Sequence, residues 1–124
     1  MNKTNIIRLI LISMLTACTS HNAFEKSLST ADSLMREQPD SAYRLLCTMD
    51  PEAASMPQAL QMRRLLLLSN AQNKVYKPFT SDSIGILLTE YYNRNGNANE
   101  RMLAHYIKGC AYRDLGDQPA ALNC

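Results

Sequence analysis

The stretch Ala104–Ala121, AHYIKGCAYRDLGDQPAA, decides the fold. Its apolar residues recur at helical spacing, and Gly116 followed by Asp117 is typical of one helix ending and the next beginning. Gly109 and Ala121 are both small, as the close approach of two antiparallel helices requires. The stretch therefore predicts a hairpin of two packed helices.

This stretch resembles a tetratricopeptide (TPR) repeat. Members of that family carry a small residue, a glycine, an alanine and a tyrosine in the first helix, then a Gly-Asp turn and an alanine in the second helix. Two positions depart from the pattern: His105 stands where the family has Trp, and Lys108 where it has Leu. A lysine at a core position implies looser packing or a slight turn of this helix. Upstream, the segment Pro39–Leu46 resembles a second TPR helix.

The rest of the chain repeats the helical pattern at a loose period of about 35–40 residues. The predicted apolar stripes are Phe24, Leu28, Ala31 and Met35; Ala42, Leu45, Leu46 and Met49; a longer run from Leu60 to Tyr76; and Ile84, Leu87, Leu88, Tyr91 and Tyr92. No window alternates apolar and polar residues as a strand would. We expect an all-α chain of six helices in three antiparallel hairpins, stacked as a short TPR-like α-solenoid: Ala23–Met49, Pro57–Asn95 and Ala98–Cys124.

Capping residues predict where helices begin. Ser55–Gln58 has the pattern of a capping box, Asn97 with Glu100 is expected to start the next helix after Gly96, and Asp117 is expected to cap the last helix. A TPR repeat has about 34 residues, and the third unit stops about 11 short of that length. We therefore expect the third repeat to be truncated, either because the chain is a fragment of a longer protein or because it depends on a partner.

The resemblance also implies a binding face. TPR arrays bind peptides on a concave surface formed by the first helix of each unit, and the matching positions here are Tyr106, Ile107, Cys110 and Arg113. Tyr106 and Cys110 stand where known peptide-binding members carry a Lys and Asn clamp for a terminal carboxylate. A groove of Tyr, Ile and Arg would instead suit apolar or mixed segments. The alternative is that Tyr106 and Ile107 pack on the preceding hairpin.

An export leader precedes the helices. Two positive charges are followed by an apolar run, and the segment Ile6–Ala17 is too short for a stable transmembrane helix, which needs about 20 residues. The string Leu15–Cys18, LTAC, resembles the lipobox of bacterial lipoproteins. That resemblance implies cleavage before Cys18 and acylation of the Cys18 thiol, against the alternative of a plain secretory signal.

The expected organisation is a signal peptide at 1–17, a lipidated tether at 18–23 and a helical repeat domain at 24–124. Several acyl chains make membrane anchoring effectively permanent. By resemblance to lipoprotein sorting, Thr19 rather than an Asp argues against retention at the inner membrane. We expect the chain to be anchored in the outer membrane of a Gram-negative bacterium, facing the periplasm.

Removing the leader changes the charge and the count of thiols. The chain has 13 basic and 11 acidic residues, and Lys3 and Arg8 lie in the leader, so the mature part holds 11 of each. This neutrality argues against a nucleic-acid partner. If Cys18 is acylated, three thiols remain and at most one internal disulfide can form among Cys47, Cys110 and Cys124.

No constellation of residues indicates catalysis. His21 and His105 lie far apart in sequence, carboxylates are scattered singly, and no glycine-rich phosphate loop is present. Arg63-Arg64 is a basic pair expected on a solvated face. We expect no enzyme, no metal and no cofactor. Two functions remain: a lipoprotein that binds or scaffolds a protein or peptide partner, and the N-terminal sensory region of a longer signalling protein.

Overall fold

The computed structural model describes residues 2–124 and, for residues 15–18, the backbone alone. The described chain is all-helical and contains no β-strand, which confirms the predicted class. The helices are α1 Lys3–Leu34, α2 Pro39–Thr48, α3 Asp50–Ala53, α4 Gln58–Lys74, α5 Ser83–Asn95, α6 Ala98–Asp114 and α7 Gln118–Leu122. The short helix α3, which the sequence analysis did not anticipate, lies between the first two predicted hairpins.

Helix α1 runs for 32 residues and joins the predicted leader to the first core without a break. Exposed apolar side chains follow one another through its first part: Ile6, Ile7, Leu9, Ile10, Leu11, Ile12 and Met14. Of the side chains that the structure describes, Phe24 is the first to be buried. Helix α1 is also the one described helix whose length and composition would suffice to cross a membrane, a test that an N-terminal signal sequence passes equally.

The first core forms between α1, α2, α3 and α4. All four residues of the predicted stripe from Phe24 to Met35 are buried, because helical spacing places them on one side of α1. The other buried members are Ala42, Leu46, Met49, Ala53, Met56, Leu67 and Ala71. This core therefore begins seven residues beyond the predicted cleavage point, and its buried residues all lie outside the leader.

A buried arginine ties α4 to the end of α2. The Nε of Arg64 donates to the Leu46 carbonyl at 3.0 Å, and its Nη1 lies 3.3 Å from Oδ1 of Asp50. The Leu46 carbonyl also accepts the Met49 amide at 3.3 Å, so the guanidinium supplies its second hydrogen bond and gains a partner for a buried charge. The prediction of a solvated face is therefore wrong for Arg64, whose long side chain reaches across to a neighbouring helix.

The second core forms between α4, α5 and α6. Its buried members are Met62, Leu66, Phe79, Leu88, Tyr92, Ala104, Ile107, Cys110 and Ala111. Helix α4 contributes to both cores, so the two are stacked about one shared helix. At Gly85 of α5, an added Cβ would lie 2.8 Å from Cα of Lys108. Helix α6 thus packs closely at Lys108, contrary to the looser packing expected, because the residue opposite is a glycine.

Three helices begin where predicted, but the side-chain cap predicted at Ser55 is wrong. Asn97 and Glu100 form a reciprocal capping box, and Asp117 Oδ1 accepts the Ala120 amide at 3.2 Å. Ser55 makes no cap: its hydroxyl donates to the Glu52 carbonyl, and α4 begins after Pro57 without a side-chain cap bond. The unexpected helix α3 explains the difference, because Ser55 follows its end and bonds back to it.

Candidate functional site

A groove of about 600 Å³ opens beside the C-terminal ends of α1, α4 and α6. We call it the basic groove. The residues that line it are Met35, Arg36, Pro39, Asn73, Lys74, Tyr76, Lys77, Pro78, Tyr106, Arg113 and Asp114. Its volume lies within the range of about 300–1,000 Å³ that is usual for ligand sites. Three helices that are distant in sequence therefore build one concave surface.

Hydrogen bonds between α4 and α6 fix one wall of this groove. The Nη2 of Arg113 donates to Asn73 Oδ1 at 3.2 Å, and Asn73 Nδ2 donates to the Tyr106 hydroxyl at 3.2 Å. Arg113 also donates to Oδ1 of Asp114 from Nε at 2.9 Å and from Nη2 at 2.7 Å. Asn73 therefore uses both ends of its amide to hold two α6 side chains in place.

Asp114 connects the end of α6 to the loop that follows α4. Its Oδ2 accepts the Phe79 amide at 2.9 Å, and its side chain is 13% exposed. Burial by itself would raise the pKa of Asp114, but the Phe79 amide and the Arg113 guanidinium lower it below its ordinary value. The hydrogen bond to Asp114 in turn raises the pKa of Arg113 despite the opposing effect of burial. Both groups are therefore charged at neutral pH.

Tyr76 stands at the rim in a conformation that normally favours glycine. Its φ is 59°, and its side chain is 93% exposed. The Tyr76 amide donates to the Asn73 carbonyl at 3.1 Å, and the Lys77 amide donates to the Gln72 carbonyl at 3.1 Å. These two bonds form a Schellman motif with tyrosine at the left-handed position. A left-handed L-residue costs roughly 1–2 kcal/mol, so this exposed ring is held at an energetic cost.

Positive charge dominates the groove. Its cationic lining residues are Arg36, Lys74, Lys77 and Arg113, and its one carboxylate is Asp114. Lys77 Nζ lies 4.8 Å from the centre of the Tyr43 ring, a cation–π contact that leaves its charge uncompensated by a carboxylate. Arg36 lies 3.4 Å from Glu37 in a largely exposed pair. Exposed pairs of this kind contribute little energy and exchange readily.

The structure brings three of the four residues predicted to bind a peptide together and separates the fourth, Ile107. Tyr106 and Arg113 are both exposed and line the basic groove. Ile107 is 1% exposed and belongs to the second core, as the alternative prediction of packing on the preceding hairpin has it. Cys110 is also buried in that core, but it lines a second cavity of about 430 Å³ between α6 and α7 together with Tyr106 and Arg113. Ile107 and Cys110 are buried because they lie one turn apart on the face of α6 toward α4 and α5, whereas Tyr106 and Arg113 lie on another face and are exposed.

Five residues of the basic groove were not predicted from the sequence as site residues: Arg36, Asn73, Lys74, Tyr76 and Lys77. These residues follow or end predicted helices, and their convergence with α6 depends on how the hairpins pack. The local signal was the string KVYK before Pro78, which places two lysines and a tyrosine where a helix must end. Such a string also suits an ordinary solvated turn.

The predicted lipid-attachment residue, Cys18, has its backbone inside α1, while its side chain lies outside the described part of the structure. Among the described residues no group of three His, Cys, Asp or Glu side chains is placed to hold a metal ion. A hydrogen bond of 3.0 Å between His105 Nε2 and Asn93 Oδ1 links α6 to α5. Comparisons with models of protein families, with curated proteins and with solved structures give no match.

Proposed function

We propose that this chain is a lipoprotein of the bacterial envelope, anchored through Cys18, whose TPR-like helical repeats bind a segment of a protein partner in the basic groove. The observation that carries the proposal is the groove itself, in which Tyr106 and Arg113 of α6 are oriented by Asn73 of α4. Side chains fixed in this way reach a ligand with less loss of conformational entropy.

The stacking of the two cores supports the repeat architecture. Each core is formed by neighbouring helices, and α4 alone contributes buried residues to both. Repeat proteins are built in this manner, because each unit buries its apolar face against the next. The small pair Gly109 and Ala121 adds to this support: a Cβ added at Gly109 would lie 3.4 Å from the Ala121 carbonyl, so the two helices approach closely.

The burial pattern of α1 supports removal of the leader. The apolar side chains from Ile6 to Met14 are exposed, whereas the buried stripe begins at Phe24. Cleavage before Cys18 would remove an exposed apolar segment that is costly in water and would leave the first core intact. The acyl chains would then hold the start of the shortened α1 at the membrane.

Metabolic labelling with palmitate tests the anchor. We expect the full chain to be labelled, a Cys18→Ala variant to lose the label, and a Cys47→Ala variant to keep it. Cys47 is the matched control because its thiol is free and exposed. Equal labelling of the Cys18→Ala variant would contradict lipidation at this residue.

Site-specific photo-crosslinking in intact cells tests the binding site. A photoreactive residue at Tyr76, at the rim of the basic groove, is expected to form an adduct of defined mass. The same photoreactive residue in place of Glu52, which is exposed on α3, serves as the control. The proposal fails if the two positions give the same adducts or if neither gives one.

The unbroken course of α1 favours a second candidate, the N-terminal sensory region of a longer signalling protein. In that case an uncleaved α1 would cross the membrane, and ligand binding would be passed through the helix. The mass of the N-terminal peptide distinguishes the two candidates. A chain that begins with acylated Cys18 supports the lipoprotein, and a chain that retains residues 1–17 supports the sensor.

A further inference from the structure

The charge of the basic groove is a local concentration. Without the leader the chain has 11 basic and 11 acidic residues, yet four cationic side chains and one carboxylate line this groove. The carboxylate, Asp114, is largely buried and already bonded to Arg113 and the Phe79 amide. Lys74 and Lys77 therefore lie at a concave surface without a matching acid in its lining, and Arg36 pairs with Glu37, an exposed residue outside that lining. A surface of this kind attracts anionic ligands.

Tyr76 gives an independent indication of a ligand. Its side chain is 93% exposed, so it contributes almost nothing to either core. Its backbone adopts a left-handed conformation at the same time. Strained residues of this kind are found preferentially where a ligand is bound. The lysines on either side of the turn, Lys74 and Lys77, flank an aromatic face against which a bound chain can pack.

The position of the groove on α1 favours a protein ligand over a lipid headgroup. Met35 and Arg36 follow the C-terminal end of α1, whereas Cys18 lies about 17 residues earlier, or roughly 25 Å along a helix. A chain anchored at Cys18 would hold the groove beyond the reach of the headgroups. This step rests on the proposed function, because it assumes the anchor.

The groove is also open, with Tyr76, Tyr106 and Arg113 all exposed along it. An open groove suits an extended segment that enters and leaves, rather than an enclosed small molecule. We propose that the basic groove binds an acidic segment of a partner protein, whose carboxylates pair with Arg36, Lys74 and Lys77 and whose chain packs against Tyr76. Arg113 contributes positive charge to the wall but keeps its bonds to Asp114 and Asn73.

Fluorescence anisotropy on the full chain, purified in detergent, tests this proposal. The probe is a labelled 12-residue peptide rich in Glu and Asp, with an amide counterpart rich in Gln and Asn. We expect saturable binding of the acidic peptide that weakens with added salt, and at least severalfold weaker binding of the amide peptide. A Lys74→Gln/Lys77→Gln variant should bind the acidic peptide about tenfold more weakly, since two ion pairs are lost.

The matched control is Lys26→Gln/Arg44→Gln, which removes the same charge from exposed positions of α1 and α2 outside the groove. This control should retain the affinity of the unmodified chain. A Tyr76→Gly variant should lose severalfold in affinity while its fold is retained. An equal loss of affinity in the control and groove variants overturns the proposal, because attraction would then be non-specific.

Competing ligands decide the class of ligand, and palmitate labelling tests the anchor separately. Tighter binding of phosphatidylglycerol vesicles than of the acidic peptide, or displacement of the peptide by millimolar inorganic phosphate, overturns the choice of a protein segment. Equal binding of the amide peptide overturns the acidic chemistry but leaves peptide binding as the proposed function. If palmitate labels the Cys18→Ala variant as strongly as the unmodified chain, the anchor is overturned, but the peptide titration is unaffected. Failure of the anchor and failure of peptide binding are therefore distinguishable.

Discussion

The C-terminal ends of α4 and α6 form the same hydrogen-bonded motif with different residues. At α4 the amides of Tyr76 and Lys77 donate to carbonyls of the last turn at 3.1 Å each. At α6 the amides of Gly116 and Asp117 make the equivalent bonds at 3.0 and 2.8 Å. The left-handed residue is Tyr76 with φ 59° in one motif and Gly116 with φ 80° in the other.

The comparison shows which part of the motif the helix end needs for its hydrogen bonds and which residue is found only beside the basic groove. Both helices must satisfy their last carbonyls, and glycine does so at the lowest conformational cost. No atom lies within 4 Å of a Cβ added at Gly116, so a side chain there would meet open space. Tyr76 occupies the equivalent position beside the basic groove. The more costly residue is thus found at the helix end that faces a candidate ligand.

The largest expected loss of stability comes from removing the hydrogen bond that connects the end of α6 to the loop after α4. Asp114, in the last turn of α6, accepts the Phe79 amide of the loop after α4 and pairs with Arg113. Asp114→Ala leaves that partly buried amide unsatisfied and should lower the free energy of unfolding by about 2 kcal/mol. Urea unfolding followed by circular dichroism measures this. Asp82→Ala is the control, because Asp82 makes no side-chain cap bond at α5 and should change stability little.

The second test places a tyrosine, the left-handed residue at the end of α4, at the equivalent position after α6. Gly116→Tyr should destabilise the fold by about 1–2 kcal/mol, because a tyrosine must then adopt the left-handed conformation. The cost would be conformational, since an added Cβ meets no neighbour. Gly116→Asn should cost less, as asparagine tolerates this region better. A Gly116→Tyr variant as stable as the parent in thermal unfolding would remove the basis of the comparison.

The reverse exchange should give a smaller effect of the opposite sign. Tyr76→Gly relieves the left-handed strain and should stabilise the chain by about 0.5 kcal/mol, the gain being reduced by the greater freedom of glycine in the unfolded state. Tyr76→Ala keeps the strain and should be close to neutral, because the exposed ring makes few contacts. Chemical denaturation of both variants is the measurement. Destabilisation by Tyr76→Gly would show that the ring has a structural role.

The smallest effect should be a difference in acid sensitivity. The folded-state pKa of Asp114 lies below its ordinary value of 3.8, so its contribution is present above that value and is lost as pH falls through the lowered pKa. The unmodified chain should therefore lose more stability than Asp114→Asn between about pH 6 and pH 3. Urea midpoints at both pH values report it. Identical losses in the two proteins would contradict the assigned interactions of Asp114.

Local features could be predicted from sequence where neighbouring residues alone determine them. The stripe from Phe24 to Met35 was predicted from helical spacing, and the helix start at Asn97 and the Gly116 turn were predicted from residues a few positions apart. Ser55 had an equally good pattern and was predicted wrongly. The Ser55 hydroxyl donates instead to the Glu52 carbonyl, and this hydrogen bond could not be predicted without knowing that α3 forms.

The candidate site was predicted only in part for the same reason. Tyr106 and Arg113 were named from their positions in one helix, and both line the basic groove. Ile107 and Cys110 share that helix, but the packing of α4 and α5 buries them in the second core, and of the two only Cys110 reaches a cavity that Tyr106 and Arg113 also line. Sequence spacing locates a residue on a helix, whereas the neighbouring helices decide which face remains accessible.

The sequence by itself determined the all-helical class, the apolar stripes and most of the helix boundaries, because these depend on residues within a few positions of one another. The tertiary structure decided which distant residues meet. Arg36, Lys74, Lys77 and Arg113 converge in one groove only because α1, α4 and α6 end beside one another. Burial of Arg64 against the end of α2 also depends on that packing. Helix formation is local, whereas packing depends on complementary surfaces that the chain brings together from distant positions.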